Sequence, residues 1–582
     1  MWRNRTITKS VSATIALLSI ALCSSFPSPA QQNGRLVDLA TQAATAIIGG
    51  EAGEAVNVTA PGRLSGRMEA LSADLNNDGL SDVIVGLPLA TAPNGKTRAG
   101  RVYIIFGRRD LSPETVRDLR DAPADVVVHG ANAGDQLGSA LAAGDINGDG
   151  IQDLIIGAPF ADEPNRPDVG NVYVLFGGSQ LAARSVRDMA SSSPTGPDIK
   201  LIGWGGPPND DGVSEAMDNA GAAVAAGDIN GDGVDDVLVG APGQQGPDGT
   251  SRAGLQGFGA DGGAVFVFFG GPSMPRVRDA SQPLPAGVNM VLYGRVARIR
   301  VLPRPLPATE VGDAVGSAVA AADINGDGLA DIIAGAPSAS TDNDERFASG
   351  AVYIVFGRRR STSDSPLVFD VEQNRRRGAS GQPPPDAVIA GANIGESLGS
   401  PLAVGDVNGD RLADIITSAL ATGIPGTTGS TSGGVRVIFG ARSFRNRDLA
   451  NGADVSIASA DVADELGFSV AAGDINGDGT ADLILGAPLA DGINDARSAA
   501  GEVYVLFGGA GLRGSITLGD RPADVRIIGA RFADQFGFSL AAGDVNGDGT
   551  DDIIATSPLA DSPSDPERPK IGITYVVFGG TP

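Results

Sequence analysis

A nine-residue segment rich in aspartate recurs along the chain with the pattern D-x-N-x-D-(G)-x-x-D. In the copy that begins at Asp145, carboxylate or amide oxygens stand at positions one, three, five and nine, and the carbonyl oxygen of position seven completes the set. Calcium binds six to eight such oxygens in flexible geometry. Gly150 at position six permits the sharp turn that brings position nine back to the ion. The spacing therefore predicts a calcium (Ca²⁺) site.

We call these segments the Asp loops, and each is predicted to contribute five ligands. The predicted ligands are Asp74, Asn76, Asp78, Leu80, Asp82, Asp145, Asn147, Asp149, Ile151, Asp153, Asp228, Asn230, Asp232, Val234, Asp236, Asp323, Asn325, Asp327, Leu329, Asp331, Asp406, Asn408, Asp410, Leu412, Asp414, Asp474, Asn476, Asp478, Thr480, Asp482, Asp544, Asn546, Asp548, Thr550 and Asp552. Aspartate, asparagine and glycine also form ordinary turns. Seven copies with three carboxylates in register favour a cation, because clustered negative charges repel one another.

Two details refine this metal prediction. An EF-hand would need glutamate at position twelve, where the second Asp loop has Ile156. The fifth Asp loop has Arg411 in place of the turn glycine, and a side chain there is costly if the backbone is left-handed. We therefore expect up to seven calcium sites, of which the fifth is the weakest.

The acidic composition agrees with these metal sites. The chain has 69 acidic and 43 basic residues and a formal net charge of −26. Such a charge repels nucleic acid and anionic membrane surfaces, so no nucleic-acid partner is expected. Solubility alone explains an acidic secreted protein, but here the acidic residues recur with the period of the Asp loops. Much of the negative charge is therefore predicted to be ligand charge.

Short apolar segments around each Asp loop predict the fold. One apolar run precedes each loop, a second follows it, a third ends in a phenylalanine such as Phe106, and a fourth precedes the next loop. Four such strands form an antiparallel meander, and their unbroken apolar character requires cover on both faces of the sheet. Radial stacking satisfies this requirement. The sequence predicts an all-β, seven-bladed β-propeller of four-stranded blades over residues 54–582.

The ends of this repeat array predict how the ring closes. The seventh unit has no fourth apolar run after Phe578. Residues 55–59, with the sequence AVNVT, resemble an unpaired fourth strand. We expect this strand to pair beside the strand that ends at Phe578, since closure removes exposed sheet edges.

The N-terminal residues predict export. Residues 1–30 contain three basic residues, an apolar run over 11–22 and a small-residue cleavage sequence that ends at Ala30, as in a secretory signal peptide. Residues 31–53 are predicted to be a linker. We expect the protein to be secreted, extracellular or at the cell surface, with no transmembrane segment in the mature chain. Cys23 leaves a lipoprotein anchor open as an alternative.

The repeat unit resembles the FG-GAP repeats that build the N-terminal propeller of integrin α subunits. The Phe-Gly pair is literal at Phe536, leucine takes the aromatic position at Leu137, and Gly-Ala-Pro follows at residues 157–159 and 486–488. The similarity covers roughly residues 54–580. It implies a calcium-binding propeller that acts in cell adhesion, although the long insertion that some integrins carry between the second and third units is missing here.

Binding surfaces are expected on the face opposite the Asp loops, which we call the insertion face. It is formed by the connections between second and third strands and between each fourth strand and the next unit. The longest connections there are residues 204–219, 243–263 and 295–311. Trp204 either stacks on a sugar or peptide or packs locally, and the arginines of 295–311 either meet an anionic partner or are solvated. We expect an unidentified extracellular protein or glycan to bind this face.

Conventional catalytic residues are scarce in this chain. His129 is the only histidine and Cys23 the only cysteine, and no catalytic residue can be assigned. We therefore predict a binding or adhesion module, with calcium mainly structural, rather than an enzyme. The alternative is a calcium-dependent polysaccharide lyase or hydrolase on a propeller scaffold, which an unpaired carboxylate couple on the insertion face would favour.

Overall fold

In the computed structural model, the repeat units lie within Gly34–Pro582. The described residues are 35–40, 45–48, 68–112, 116–190, 195–205, 218–244, 262–282, 287–299, 309–341, 346–360, 365–371, 382–419, 433–459, 461, 463–519, 521–563 and 569–580. The predicted signal peptide and the predicted closing strand at 55–59 lie outside them. Among the described residues, none of the helical segments has the length and apolar character of a membrane span.

Each repeat unit folds as a meander of four antiparallel strands, as the second unit illustrates. Ala140–Gly144 and Asp153–Ala158 pair through the turn of the Asp loop. Asn171–Leu175 and Ile199–Ile202 follow as the third and fourth strands. The second and third strands are buried along their whole length. This burial on both faces explains why their sequences are apolar without alternation.

The strands are numbered in chain order. They are β1 (Arg35–Asp38), β2 (Thr45–Ile48), β3 (Glu69–Ala73), β4 (Asp82–Leu87), β5 (Arg101–Ile105), β6 (Val116–Asp118), β7 (Val126–His129), β8 (Ala140–Gly144), β9 (Asp153–Ala158), β10 (Asn171–Leu175), β11 (Val186–Asp188), β12 (Ile199–Ile202), β13 (Ala223–Gly227), β14 (Asp236–Ala241), β15 (Ala264–Phe268), β16 (Val277–Asp279), β17 (Met290–Tyr293), β18 (Val296–Ile299), β19 (Thr309–Gly312), β20 (Ala318–Ala322), β21 (Asp331–Ala336), β22 (Ala351–Val355), β23 (Leu367–Asp370), β24 (Ala387–Ala390), β25 (Leu402–Gly405), β26 (Asp414–Ser418), β27 (Gly434–Ile438), β28 (Arg447–Asp448), β29 (Val455–Ala458), β30 (Ser469–Gly473), β31 (Asp482–Ala487), β32 (Glu502–Leu506), β33 (Gly514–Thr517), β34 (Val525–Ile528), β35 (Leu540–Gly543), β36 (Asp552–Ser557) and β37 (Ile573–Val577). The described helical segments are α1 (Ser179–Ala182) and short 3-10 turns at Pro93–Gly95, Leu449–Asn451 and Ile493–Asp495.

Seven sheets form the blades, which confirms the predicted seven-bladed propeller. The strand orders of blades 1 to 7 are β3-β4-β5-β7-β11, β8-β9-β10-β12-β16, β13-β14-β15-β17-β23, β20-β21-β22-β24-β28, β25-β26-β27-β29-β33, β30-β31-β32-β34-β1 and β35-β36-β37-β2-β6. Each sheet therefore has five strands rather than the predicted four. The fifth is a short strand that precedes the fourth strand of the next unit and runs parallel to its partner, as β16 does beside β12. It ties each blade to the unit that follows.

The two N-terminal strands close the ring. β2 pairs antiparallel with β37 as the fourth strand of blade 7, and β1 pairs parallel with β34 as the fifth strand of blade 6. The first strands of successive blades adjoin one another around the centre, and β35 adjoins β3. The closing strand is thus Thr45–Ile48, within the segment predicted to be a linker, and not residues 55–59. The reason is strand order, since a fifth-position strand directly precedes the fourth strand in every unit.

The core lies between neighbouring blades. Between blades 2 and 3, Val172 and Val174 pack in one cluster with Phe266. At one point the two backbones are in direct contact. A Cβ atom added to Gly157 would overlap the carbonyl oxygen of Gly221 in the next blade. At this interface the close packing of one blade on the next therefore requires both glycines, that of Gly-Ala-Pro and that of the Phe-Gly element.

Removing the Arg497 side chain should weaken ring closure. Arg497 donates to Asp38 Oδ2 of β1 (2.7 Å) and to the carbonyl of Gly529 (2.7 Å), and both charged side chains are about four-fifths buried. We expect Arg497→Ala to lower the free energy of unfolding by about 2 kcal/mol, measured by urea denaturation. The control is Arg513→Ala, which removes an exposed bond to the carbonyl of Ala510 and should cost less than about 0.5 kcal/mol. Equal losses would contradict the closing role.

Candidate metal centres and the insertion face

The seven Asp loops share one hydrogen-bonded form. In the second loop, Asp145 Oδ1 accepts from the N–H of Asp149 (3.0 Å) and Oδ2 accepts from the N–H of Gly150 (2.8 Å). Asp149 Oδ1 accepts from the N–H of Ile151 (2.9 Å). The corresponding bonds form in the other six loops. Positions one and five therefore hold the loop backbone in its curved conformation.

The aspartate at position nine is buried and anchored. Asp153 Oδ2 accepts from the N–H of Ile146 at position two (3.0 Å), and Oδ1 accepts from the N–H of Gly177 just after the third strand (2.9 Å). All seven position-nine side chains are fully buried and form the same two bonds. One carboxylate thus joins the first turn of a blade to the end of its third strand, a role that the sequence analysis missed.

The Asp loops also connect neighbouring blades. The carbonyl oxygen of Ile146 at position two accepts a hydrogen bond from the N–H of Gly271 in blade 3 (2.8 Å). The same bond recurs at all seven interfaces, always from the second residue after the phenylalanine that follows the third strand. At the closing interface the N–H of Arg108 donates to the carbonyl of Val545 (3.0 Å). The loop conformation therefore also sets the contact between successive blades.

The charges within each loop favour a bound cation. Burial raises the pKa of Asp82 to about 7, and the charges of Asp74 and Asp78 raise it as well. Burial likewise raises the pKa of Asp236 to about 8. The carboxylates at positions one and five thus repel the buried carboxylate at position nine. A cation among them would remove this repulsion.

Asn230 at position three of the third loop gives an independent indication. Its Nδ2 donates to Asp236 Oδ1 (3.0 Å), while its buried Oδ1 has no hydrogen-bond partner. A buried carbonyl oxygen without a donor is costly. It is also the kind of ligand that calcium prefers, so the residues present fit the ion.

The predicted aspartate ligands differ in their exposure to solvent. In every loop the position-one aspartate is half-buried, the position-five aspartate is exposed and the position-nine aspartate is buried. Among the described residues, no three or more acidic, histidine or cysteine side chains form a cluster that could hold a metal ion. The carboxylates at positions one and nine are held by backbone N–H groups instead. Calcium binding and the full ligand set therefore stay predictions.

The fifth Asp loop keeps its form at a conformational cost. Arg411 has a φ of 71°, close to the 83° of Gly150 at the same position of the second loop. Its N–H still donates to Asp406 Oδ2 (2.7 Å). A left-handed backbone costs a non-glycine residue about 1 kcal/mol or more, which supports the expectation that this loop is the weakest.

Two residues that the sequence placed as possible ligand contacts are internal. Trp204 is partly buried and packs against the core between blades 2 and 3, which favours the local-packing alternative. Arg295 is buried, and its Nε donates to Asp313 Oδ1 (3.3 Å). Arg295 is therefore not available to an anionic partner. Much of the three long connections lies outside the described residues.

The insertion face carries a second series of carboxylates that the sequence analysis did not single out. In units 2 to 7 an acidic residue stands three positions before the glycine of the Phe-Gly element, and all six side chains are buried. They are Asp135, Asp218, Asp313, Glu396, Asp464 and Asp534. Their fixed offset from that glycine was the signal that could have revealed them. Most are held by a neighbour, as Glu396 Oε1 is by Arg436 Nη2 (3.0 Å).

The FG-GAP repeat family matches six segments of the chain. They are residues 69–105, 137–175, 220–268, 315–355, 466–506 and 536–577. The chain is an FG-GAP repeat protein. The matched segments belong to blades 1, 2, 3, 4, 6 and 7, and the resemblance stated from the sequence is confirmed. The segment between them forms blade 5, where Arg411 replaces the turn glycine and Ser418 replaces the glycine of Gly-Ala-Pro.

Curated relatives include both a phospholipase and an integrin. Human phosphatidylinositol-glycan-specific phospholipase D is 34% identical over 203 residues, which are 35% of this chain and 20% of that protein. Integrin alpha-PS2 of Drosophila melanogaster is 28% identical over 210 residues, 35% of this chain and 12% of the integrin. The chain thus matches about a fifth or less of the length of each of these relatives. Among solved structures, the exotype rhamnogalacturonan lyase YesX matches at a TM-score of 0.36 and 11% identity, over 92% of this chain and 76% of its own.

The prediction that this protein is not an enzyme is wrong in the light of these relatives. The phospholipase D, the more similar of the two curated relatives, is named for an enzymatic activity. The prediction rested on the scarcity of histidine and cysteine. That scarcity is a poor guide, because carboxylates alone can perform acid–base catalysis.

Replacing the position-nine aspartate should destabilise the propeller even when calcium is removed. Asp153→Ala leaves three backbone N–H groups, those of Ile146, Asn147 and Gly177, without their acceptor at a fully buried site, which should cost about 3 kcal/mol. Asp149→Ala at the exposed position five removes one local acceptor and should cost less than about 1 kcal/mol. Urea unfolding of both variants in excess EGTA measures the two losses. A loss for Asp149→Ala as large as that for Asp153→Ala would refute the anchoring role.

Restoring glycine in the fifth loop should stabilise the protein. Arg411→Gly relieves the left-handed strain but adds chain entropy to the unfolded state, so the expected net gain is roughly 0.5 to 1 kcal/mol. Gly150→Arg in the second loop is the reverse change and should lose a similar amount. Thermal unfolding in calcium compares both variants with the parent protein. No shift in either variant would show that the two loops are equivalent.

Proposed function

We propose that this protein is an extracellular, calcium-dependent enzyme that acts on a glycan. The observation that carries the proposal is the 34% identity over 203 residues with a phosphatidylinositol-glycan-specific enzyme. An extracellular location is supported by the integrin relative and by the signal-like sequence of residues 1–30. The net charge of −26 favours a neutral or cationic substrate surface over a strongly anionic one.

In this proposal the Asp loops are structural. Bound calcium would neutralise the repelling carboxylates and stabilise the turns that join the blades. The position-nine aspartates and the position-two carbonyls already link the strands and the blades without it. Catalysis is therefore assigned to the opposite, insertion face.

The insertion face offers a pair of carboxylates suited to proton transfer. Asp534 is buried, and its Oδ2 accepts no hydrogen bond from the described residues. Burial raises the pKa of Asp534 to about 7; Arg531 lowers it, and the charge of Asp561 raises it. Asp561 is exposed to solvent. A protonated Asp534 with a second carboxylate, Asp561, close enough to influence its pKa suits a general acid paired with a base that activates water, as glycoside hydrolysis requires.

A turnover assay tests this function. The protein is incubated with a panel of neutral, amino and acidic oligosaccharides, in calcium and in EGTA, and new reducing ends are counted. We expect a product with at least one substrate class in calcium, and a loss of about 100-fold in kcat/KM for Asp534→Asn. Asp464→Asn is the matched control, because Asp464 is the equivalent carboxylate of blade 6 and is held by Ser459 Oγ (3.2 Å).

The pH dependence gives a second readout of the same assignment. Because Asp534 has to be protonated to donate a proton, kcat/KM should fall as the pH rises above about 7. An absence of product from every substrate, or full activity of Asp534→Asn, would refute the proposal. Binding without turnover would indicate an adhesion module.

A further inference from the structure

Asp534 differs from the equivalent carboxylates of the other blades. Asp313 Oδ2 accepts from the hydroxyl of Tyr353 (2.8 Å), and Asp135 Oδ2 accepts from the N–H of Asn132 (3.0 Å). Asp218, Glu396 and Asp464 likewise each accept a hydrogen bond from a neighbouring residue. Among the six equivalent acidic residues, only Asp534 of blade 7 has a buried carboxylate oxygen without a hydrogen-bond partner. The free acceptor is therefore a property of this blade and not of the repeat.

A second free acceptor stands next to the first. Gln535 is about 94% buried, and its Oε1 has no partner among the described residues. Two adjacent side chains thus place unsatisfied oxygens at one end of blade 7. Gln535 Oε1 can only accept a hydrogen bond, and the carboxyl of Asp534 keeps an accepting oxygen whether or not it is protonated, so the pair requires a ligand that donates hydrogen bonds. An anion, which has only acceptors, does not meet this requirement.

An exposed aromatic ring stands two residues before Asp534 in the same loop. Phe532 is 72% exposed, the largest exposed fraction among the large hydrophobic side chains of the described residues. Its loop is anchored on blade 6, since the N–H of Ala533 donates to the carbonyl of Ser498 (3.0 Å) and that of Gln535 to the carbonyl of Ala499 (3.1 Å). Arg531 Nη1 also donates to the carbonyl of Asp561 in blade 7 (3.4 Å). The ring is thus presented by a loop that is attached to both blades.

We propose that Phe532, Gln535 and Asp534 form a sugar-binding site, in which the apolar face of a sugar ring stacks on Phe532 and its hydroxyl groups donate to the two free oxygens. A sugar combines an apolar ring face with many O–H donors and no charge, which matches this combination of side chains. The inference rests on the proposed glycan-directed function for the class of ligand, and on these three residues for its location.

A glycan array followed by isothermal titration tests the site. The probes are neutral and amino oligosaccharides in calcium, with a lysine-containing peptide as a cationic comparison. We expect Phe532→Ala and Gln535→Met each to weaken binding of the best glycan about ten-fold or more. The matched control is Phe347→Ala, which removes an exposed phenylalanine from the insertion face of blade 4. This control should bind like the parent protein.

The outcomes separate the site from the proposed function. A glycan that is turned over with the same KM by Phe532→Ala and by the parent protein would overturn the site and leave the function standing. Binding that is lost in Phe532→Ala, with no turnover in any protein, would support the site and remove the enzymatic function. Binding of the peptide alone would overturn the sugar as the ligand, and binding of no probe by the parent protein would overturn both proposals.

Discussion

The buried aspartate at position nine of each Asp loop is the constraint on which the rest of the propeller depends. Its two oxygens accept from the N–H at position two and from the N–H that follows the third strand, so a single side chain fixes three strands of a blade. The residue at position two, held in this way, uses its carbonyl to bind the next blade. Seven repetitions of this arrangement produce the ring. The loops are thus built into the packing and are not appended to it.

The hydrogen bonds on the Asp-loop face repeat from blade to blade, whereas those on the insertion face do not. We use this difference to distinguish structural elements from candidate functional ones. The Asp-loop face has the same hydrogen bonds in all seven blades, as expected of a structural element. On the insertion face, the equivalent carboxylates differ in their partners from blade to blade, and Asp534 has a buried oxygen without one. Specific chemistry requires a difference between blades, which is why we propose it for the insertion face.

The sequence predicted the features that are local and failed on those that depend on distant pairing. The Asp loops and the number of blades were readable because ligand types, turn glycines and apolar runs recur at fixed spacing. The fifth strands were missed because they are short, and those that begin at Val116, Val186 and Val277 expose this valine at the blade edge. The closing strand was misplaced because Thr45–Ile48 has only four residues and its partner lies at the other end of the chain. The unpartnered oxygen of Asp534 could not be predicted, because hydrogen bonding at this site depends on residues that only the fold brings together.

We propose that the Asp loops hold the blades together with calcium as their counter-charge. Thermal unfolding of the whole protein in calcium and in excess EGTA tests it most directly. The melting temperature should fall in EGTA and recover when calcium is added back, because the repelling carboxylates of positions one, five and nine lose their cation. An identical melting curve in calcium and in EGTA would contradict the claim.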